Sequence, residues 1–288
     1  MTLSPFFLVA FATNIIARSS SPSAAFAYHN LPQKASLALS STRFSSTSTK
    51  MSSNNSNNNN NNDGKLTILG FGSLLSETSS RMTFPELTNF RLGRIPNYRR
   101  VFGHCTSLFF KRGIANLETK EMASLSAEPD EGNPGFICTI FEVDNADMMQ
   151  DGVPSQAFLE REEEYNILPA VPFVDLTTGQ TSTGILCARG SDKEFNERWG
   201  KDYFEKEYGQ YGIPTIWNWD EASGLRPCAT YLRHCTLAAE KMGEECNNSF
   251  LDETFLVDRK TPLRKYLKEN PHVMLAVPPP ELLIRYGG

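Results

Sequence analysis

Two short stretches hold the groups best able to do chemistry. One is FGSLL, Phe71 to Leu75, where an apolar run through Leu66, Ile68 and Phe71 stops at Gly72 and Ser73. A glycine at a strand end lets the backbone turn and exposes amides, here from Gly72 to Leu75, that can point at an anionic or carbonyl oxygen. The other is the acidic run EREEEY, Glu160 to Tyr165. On a helix started by Pro154 and Ser155, the stripe of Phe158, Leu159 and Tyr165 turns Glu162 inward and leaves Glu160, Glu163 and Glu164 toward water. A carboxylate forced inward has its pKa raised by desolvation, as a general base near neutral pH requires.

Other chemistries fail on spacing. No G-K-[ST] follows the loop, no third glycine arrives in dinucleotide register, and Leu75 stands where a serine nucleophile elbow needs its second glycine. The histidines are poorly placed as bases. His29 lies in the N-terminal leader, His104 and His234 sit beside cysteines in a predicted strand and helix, and His272 is in a Pro-flanked loop. Cys105, Cys138, Cys187, Cys228, Cys235 and Cys246 form no C-x-x-C pair, so they read as reduced thiols, mostly core, with no metal and no cofactor implied. A disulfide framework is the alternative.

These groups need a scaffold. From Lys65 to about Ala188 the pattern is of short strands: KLTILGF, Tyr98–His104, Met122–Glu128, Gly135–Val143, Pro169–Leu176 and Thr181–Arg189. The single helix that carries the acidic run interrupts them, which suggests a small mixed barrel in an α+β fold. After Gly190 the pattern turns helical, with Ser191 as a cap, a helix through Tyr231 and Cys235, a short helix starting at Thr261 with Pro262 in its first turn, and a Pro-initiated helix in VPPPELLIRYGG.

Charge divides the chain. No Asp or Glu precedes Asp63, and of the 28 Lys and Arg only Arg18, Lys34, Arg43 and Lys50 fall there, so the remainder is strongly acidic. Such a surface repels a phosphate backbone and excludes nucleic acid as the expected partner; a small molecule suits it better. Pro5 to Ala17 is an apolar run of signal-peptide length with small residues Ser23 and Ala25 before Phe26, followed by a Ser/Thr-rich, acid-free stretch to about residue 50. Signal peptide, AAF-type junction and transit peptide in series resemble the bipartite presequences of algae with complex plastids; a secretory leader is the alternative. The Asn-rich stretch 51–63 cannot bury apolar surface and reads as a linker. Folding should start near Gly64, without a membrane anchor in the mature form. The expected division is a domain over 64–190 and a helical extension over 191–288 packed on it.

In order and spacing, FGSLL, then Tyr98-Arg99-Arg100-Val101-Phe102, then Pro134-Gly135-Phe136, then Arg161-Glu162 before Tyr165 resemble the gamma-glutamylcyclotransferase-like superfamily. The resemblance implies a small mixed β-barrel with flanking helices and no cofactor. It implies a substrate-binding loop at Phe71, Gly72, Ser73, Leu74 and Leu75, a basic substrate-binding position at Arg99 or Arg100, Tyr165 beside the substrate, and Glu162 as the catalytic acid–base. Phe71 departs from the commoner Tyr, and the run Glu162-Glu163-Glu164 leaves the register open by one or two residues. The implied reaction closes the γ-glutamyl group of glutathione or another γ-glutamyl amide to 5-oxoproline and releases the amine or peptide. The alternative function is a catalytically silent small-ligand-binding module on the same fold; a third is an unrelated barrel with a structural glycine loop. Protein partners and the role of the extension are left open.

Overall fold

The computed structural model describes residues 64–144, 148–150 and 153–287. The leader and linker expectations, including the plastid or secreted destination, lie outside the described residues.

Among the described residues, eleven strands and nine α-helices make a mixed α+β fold. The strands are β1 Lys65–Gly70, β2 Thr88–Ile95, β3 Tyr98–Cys105, β4 Glu121–Pro129, β5 Phe136–Asp144, β6 Met149–Gln150, β7 Val153–Pro154, β8 Asn166–Asp175, β9 Thr181–Ala188, β10 Arg226–Pro227 and β11 Thr254–Phe255. β1 pairs antiparallel with β5, β5 with β2, β2 with β8 and β8 with β9, and β9 returns to β1 in parallel at Ile185 and Ile68. That ring is a closed five-stranded barrel, which removes the exposed edges an open sheet would present. β4 extends it from β9, and the β3–β4 hairpin adds a flap edged by β10 and β11.

β1 is buried on both faces near its end: Leu69 joins the main apolar cluster, while neighbouring Ile68 joins a second one with Phe141, Phe158 and Ile185. Alternation along the strand sends successive side chains to opposite faces, so one strand serves two cores. Gly135 enters β5 with φ 82°, and a Cβ there would fall on the Ile95 carbonyl. Only glycine meets both demands.

The helices are α1 Glu77–Thr83, α2 Ser107–Lys111, α3 Gln156–Arg161, α4 Asp192–Trp199, α5 Lys201–Glu207, α6 Ala229–Lys241, α7 Glu244–Asp252, α8 Leu263–Glu269 and α9 Leu283–Tyr286. The reading of a single helix before residue 190 missed α1 and α2, which are short. Ser155 caps α3 as expected, and Ser191 caps α4. Gly200, with φ 86°, separates α4 from α5 in what the apolar stripe alone leaves continuous. Pro262 is the cap of α8 rather than a first-turn residue. Side chains from both sides of residue 190 share the main cluster, among them Phe109, Phe195, Trp217 and Tyr231. No helix among the described residues is long and apolar enough to cross a membrane. All six cysteines are free and five are buried.

Candidate active site

The glycine loop and the acidic run meet in one cavity of about 170 Å³. On the loop side, Ser73–Leu75 makes one 3-10 turn, closed by a bond from the Leu75 amide to the Gly72 carbonyl at 3.0 Å. Thr139 Oγ1 donates to the Leu74 carbonyl at 2.8 Å and Ser80 Oγ donates to it at 2.9 Å, so the turn is tied to β5 and α1. Tyr231 Oη, from α6, accepts from the Ser73 amide at 3.3 Å. Among the described residues nothing accepts from the amides of Gly72 and Leu74, which leaves these two as the loop's donors for a ligand. Phe71, Gly72, Ser73 and Leu74 line the cavity, whereas Leu75 is fully buried and anchors the turn from beneath.

Glycine is required at position 72 for a reason that the sequence does not show. A Cβ there would collide with the hydroxyl of Tyr231. That ring has little room to retreat, because it packs against Phe102, Phe109 and Tyr286.

The acidic run departs from the helical reading. α3 ends at Arg161, and Glu162 already has φ −111° and ψ 45° as its C-cap. From there a turn, closed by the Tyr165 amide on the Glu162 carbonyl at 3.0 Å, feeds the chain into β8. A helical wheel therefore stops applying at Glu162, and Glu163 and Glu164 face inward instead of toward water. Glu160 is exposed as expected and accepts from Gln156 Nε2 at 2.9 Å.

Each acid of the turn has its own setting. Glu162 accepts from Arg161 Nε at 3.2 Å and is 23% exposed. Desolvation raises its pKa above the ordinary carboxylate value, against the opposing charge and hydrogen bond of Arg161. Glu163 is held by Ser107 Oγ at 2.8 Å and Tyr203 Oη at 2.6 Å. Glu164 is buried, and desolvation together with the Glu163 charge pushes its pKa up to about 8.

The turn is gripped from behind by the region after residue 190. Trp199 Nε1 donates to the Glu163 carbonyl at 3.0 Å, Trp217 Nε1 to the Glu164 carbonyl at 3.1 Å and Arg198 Nη1 to the Tyr165 carbonyl at 3.2 Å. Tyr165 lines the cavity and donates its hydroxyl to the Leu125 carbonyl at 3.0 Å.

Arg99 and Arg100 are a correction. Neither lines the cavity. Arg100 is fully buried, donates to the carbonyls of Ile137 and Ser249 and to Ser249 Oγ, and lies over the rings of Phe136 and Phe250. Arg99, on the opposite face of β3, pairs with Asp130 at 3.8 Å. Placing β3 in the flap rather than in the barrel wall takes both away from the loop. Around the cavity stand Lys111, Tyr231 and Tyr286, which the sequence reading did not place in a site, together with Arg161, read only as part of the motif, and Glu164, read as facing water. No group of three or more His, Cys, Asp or Glu among the described residues is gathered to hold a metal ion.

No protein-family model matches the chain, and no curated protein does. Among solved structures, an uncharacterized protein from Homo sapiens aligns at TM-score 0.32 and 13% identity over 50% of this chain and 86% of its own. A structure described as gamma-glutamyl cyclotransferase aligns at 0.31 and 12% over 50% and 86%. The solution structure of an Arabidopsis thaliana protein aligns at 0.28 and 11% over 51% and 89%. Likeness at this level carries nothing about activity or substrate, and the barrel stands on its own strand pairing.

Glu164 makes a measurable prediction. Its ordinary value is 4.5, and the folded protein keeps the proton above that pH while the unfolded chain loses it. Stability should therefore fall as pH rises from about 4.5 into the alkaline range. Glu164→Gln is expected to flatten that fall, seen as urea midpoints that no longer drop between about pH 5 and about pH 8.

Proposed function

We propose that the protein is a gamma-glutamylcyclotransferase-like enzyme that closes a γ-glutamyl amide to 5-oxoproline. The observation that supports this reading is that Gly72, Leu74 and Glu162 line one cavity, with the Gly72 and Leu74 amides donating to nothing among the described residues. The reaction needs no enzyme nucleophile. The substrate's own α-amine attacks its γ-carbonyl carbon, a new C–N bond closes the five-membered lactam, and the old γ-amide C–N bond breaks. Glu162 relays two protons from the α-ammonium to the leaving nitrogen, one before attack and one as the ring closes, and the loop amides take up the oxyanion in between. Confining the flexible glutamyl chain in a small cavity lined by Phe71, Phe158 and Tyr165 supplies the positional part, which reaches about 7–11 kcal/mol in favourable intramolecular systems.

Incubating the full chain with glutathione and with γ-glutamyl dipeptides, and measuring 5-oxoproline, tests the reading; absence of 5-oxoproline from every one of them sinks it. One observation favours a silent binding module instead: the Ser73 amide is already used by Tyr231, leaving the loop one donor fewer for an oxyanion. A ligand-dependent rise in melting temperature without turnover is the result that module would give.

A further inference from the structure

A γ-glutamyl group ends in an amino-acid head, with an ammonium and a carboxylate on the same carbon. If Glu162 faces the ammonium, a cation must meet the carboxylate close beside it. Two cavity-lining residues carry cations, Lys111 and Arg161. Lys111 is already paired with Glu207, a buried acid. Arg161 is differently placed. Its guanidinium lies over the rings of Phe84 at 4.6 Å and Phe158 at 4.8 Å, and its side chain is 21% exposed. Nε donates to Glu162 Oε1 at 3.2 Å, while Nη2 is buried with no hydrogen-bond partner among the described residues. Buried donors left in this state are uncommon in folded proteins and call for an acceptor.

We propose that Arg161 anchors the α-carboxylate of the γ-glutamyl group on its Nη2 side, with Glu162 facing the α-ammonium, so that the adjacent pair recognises the zwitterionic amino-acid head. The inference rests on the γ-glutamyl reading of the cavity. A planar guanidinium lying over two rings suits a carboxylate better than a mobile ammonium does, because its donors are already oriented. The Arg161–Glu162 contact has a second use. The carboxylate needs its attraction to Arg161 balanced once the substrate arrives, and the incoming α-carboxylate and α-ammonium satisfy both residues together. After cyclisation the nitrogen is a neutral lactam N–H, so the product keeps its contact with Arg161 and loses its ionic contact with Glu162. The product should therefore bind less tightly than the substrate.

The test compares paired probes with and without the carboxylate. The substrates are a γ-glutamyl dipeptide and its 4-aminobutanoyl analogue, which cyclises to 2-pyrrolidinone; the ligands are 5-oxoproline and 2-pyrrolidinone, followed by calorimetry on the full chain. The wild type should favour the carboxylate-bearing member by about 10- to 100-fold, mostly in KM. Arg161→Met should erase that preference, weakening the carboxylate-bearing member far more than the 4-aminobutanoyl analogue, whose turnover changes only through the lost contact with Glu162, and Arg161→Lys should keep part of it. If the wild type forms 5-oxoproline but Arg161→Met weakens both substrates alike or neither, the anchor is wrong and the cyclisation reading survives. Arg161-dependent binding of 5-oxoproline with no turnover upholds the anchor and removes the cyclisation. Failure of the wild type to distinguish the members of either pair overturns the anchor.

Discussion

Glu162→Gln is expected to lower 5-oxoproline formation by about 10²- to 10⁴-fold, the usual worth of general acid–base assistance. Glutamine keeps the size and reach of the side chain and removes the basic oxygen, so the α-ammonium has no acceptor for its proton. The fold should survive, because a half-buried carboxylate is exchanged for a neutral amide of equal shape. Glu160→Gln is the milder comparison: that side chain also lines the cavity but is exposed and bonded to Gln156, so its loss should change the rate far less. The pH profile supplies a second check. The base must be ionised, and desolvation places its titration above the ordinary value of 4.5, so turnover should be present on the alkaline side and fall as acid protonates it. If Glu162→Gln keeps full activity while Glu163→Gln or Glu164→Gln loses it, the cavity is right and the residue is wrong.

Gly72→Val should remove turnover by about 10²-fold or more while costing about 1–3 kcal/mol of stability. The new side chain meets the Tyr231 hydroxyl, and the loop must shift or the ring must turn within its aromatic packing. Either movement breaks the Ser73–Tyr231 bond and misdirects the two remaining amides. The steric account has a cycle of its own. Gly72→Ala in a Tyr231→Phe background should recover part of the activity lost in Gly72→Ala alone, because the colliding oxygen is gone. Unchanged kinetics in Gly72→Val would return the loop to a purely structural turn.

How much of this was legible beforehand depended on where the signal was local. β1, β3, β4, β5 and β9 were visible because apolar and β-branched residues crowd into short runs between turn residues. β2, Thr88–Ile95, was not. Its sequence TNFRLGRI carries two arginines and a glycine, and its place is fixed by pairing with β5 and β8 rather than by its own pattern. The loop at Gly72 could be read from the end of β1, but the collision partner that demands glycine there is Tyr231, which no neighbouring residue announces. The acidic turn was half legible. Phe158 marks the buried side of α3 correctly, yet helical spacing cannot show that the helix stops at Arg161 because β8 must begin at Asn166. Arg99 and Arg100 were matched by motif order alone, and order does not say that β3 leaves the barrel for the flap.

Part of the cavity wall is written late in the chain. Tyr231 and Tyr286 line it, and Trp199 and Trp217 hold the acidic turn by its carbonyls, yet all four follow the last barrel strand in sequence. During synthesis the barrel strands leave the ribosome first and can pair before these residues exist. A nascent chain at that stage has the loop and the carboxylates but neither the grip on the turn nor the two tyrosines beside the loop. On the proposed reading the chemistry therefore waits for residues that follow β9, and a ribosome stalled there would display a barrel without the side chains that hold its acidic turn.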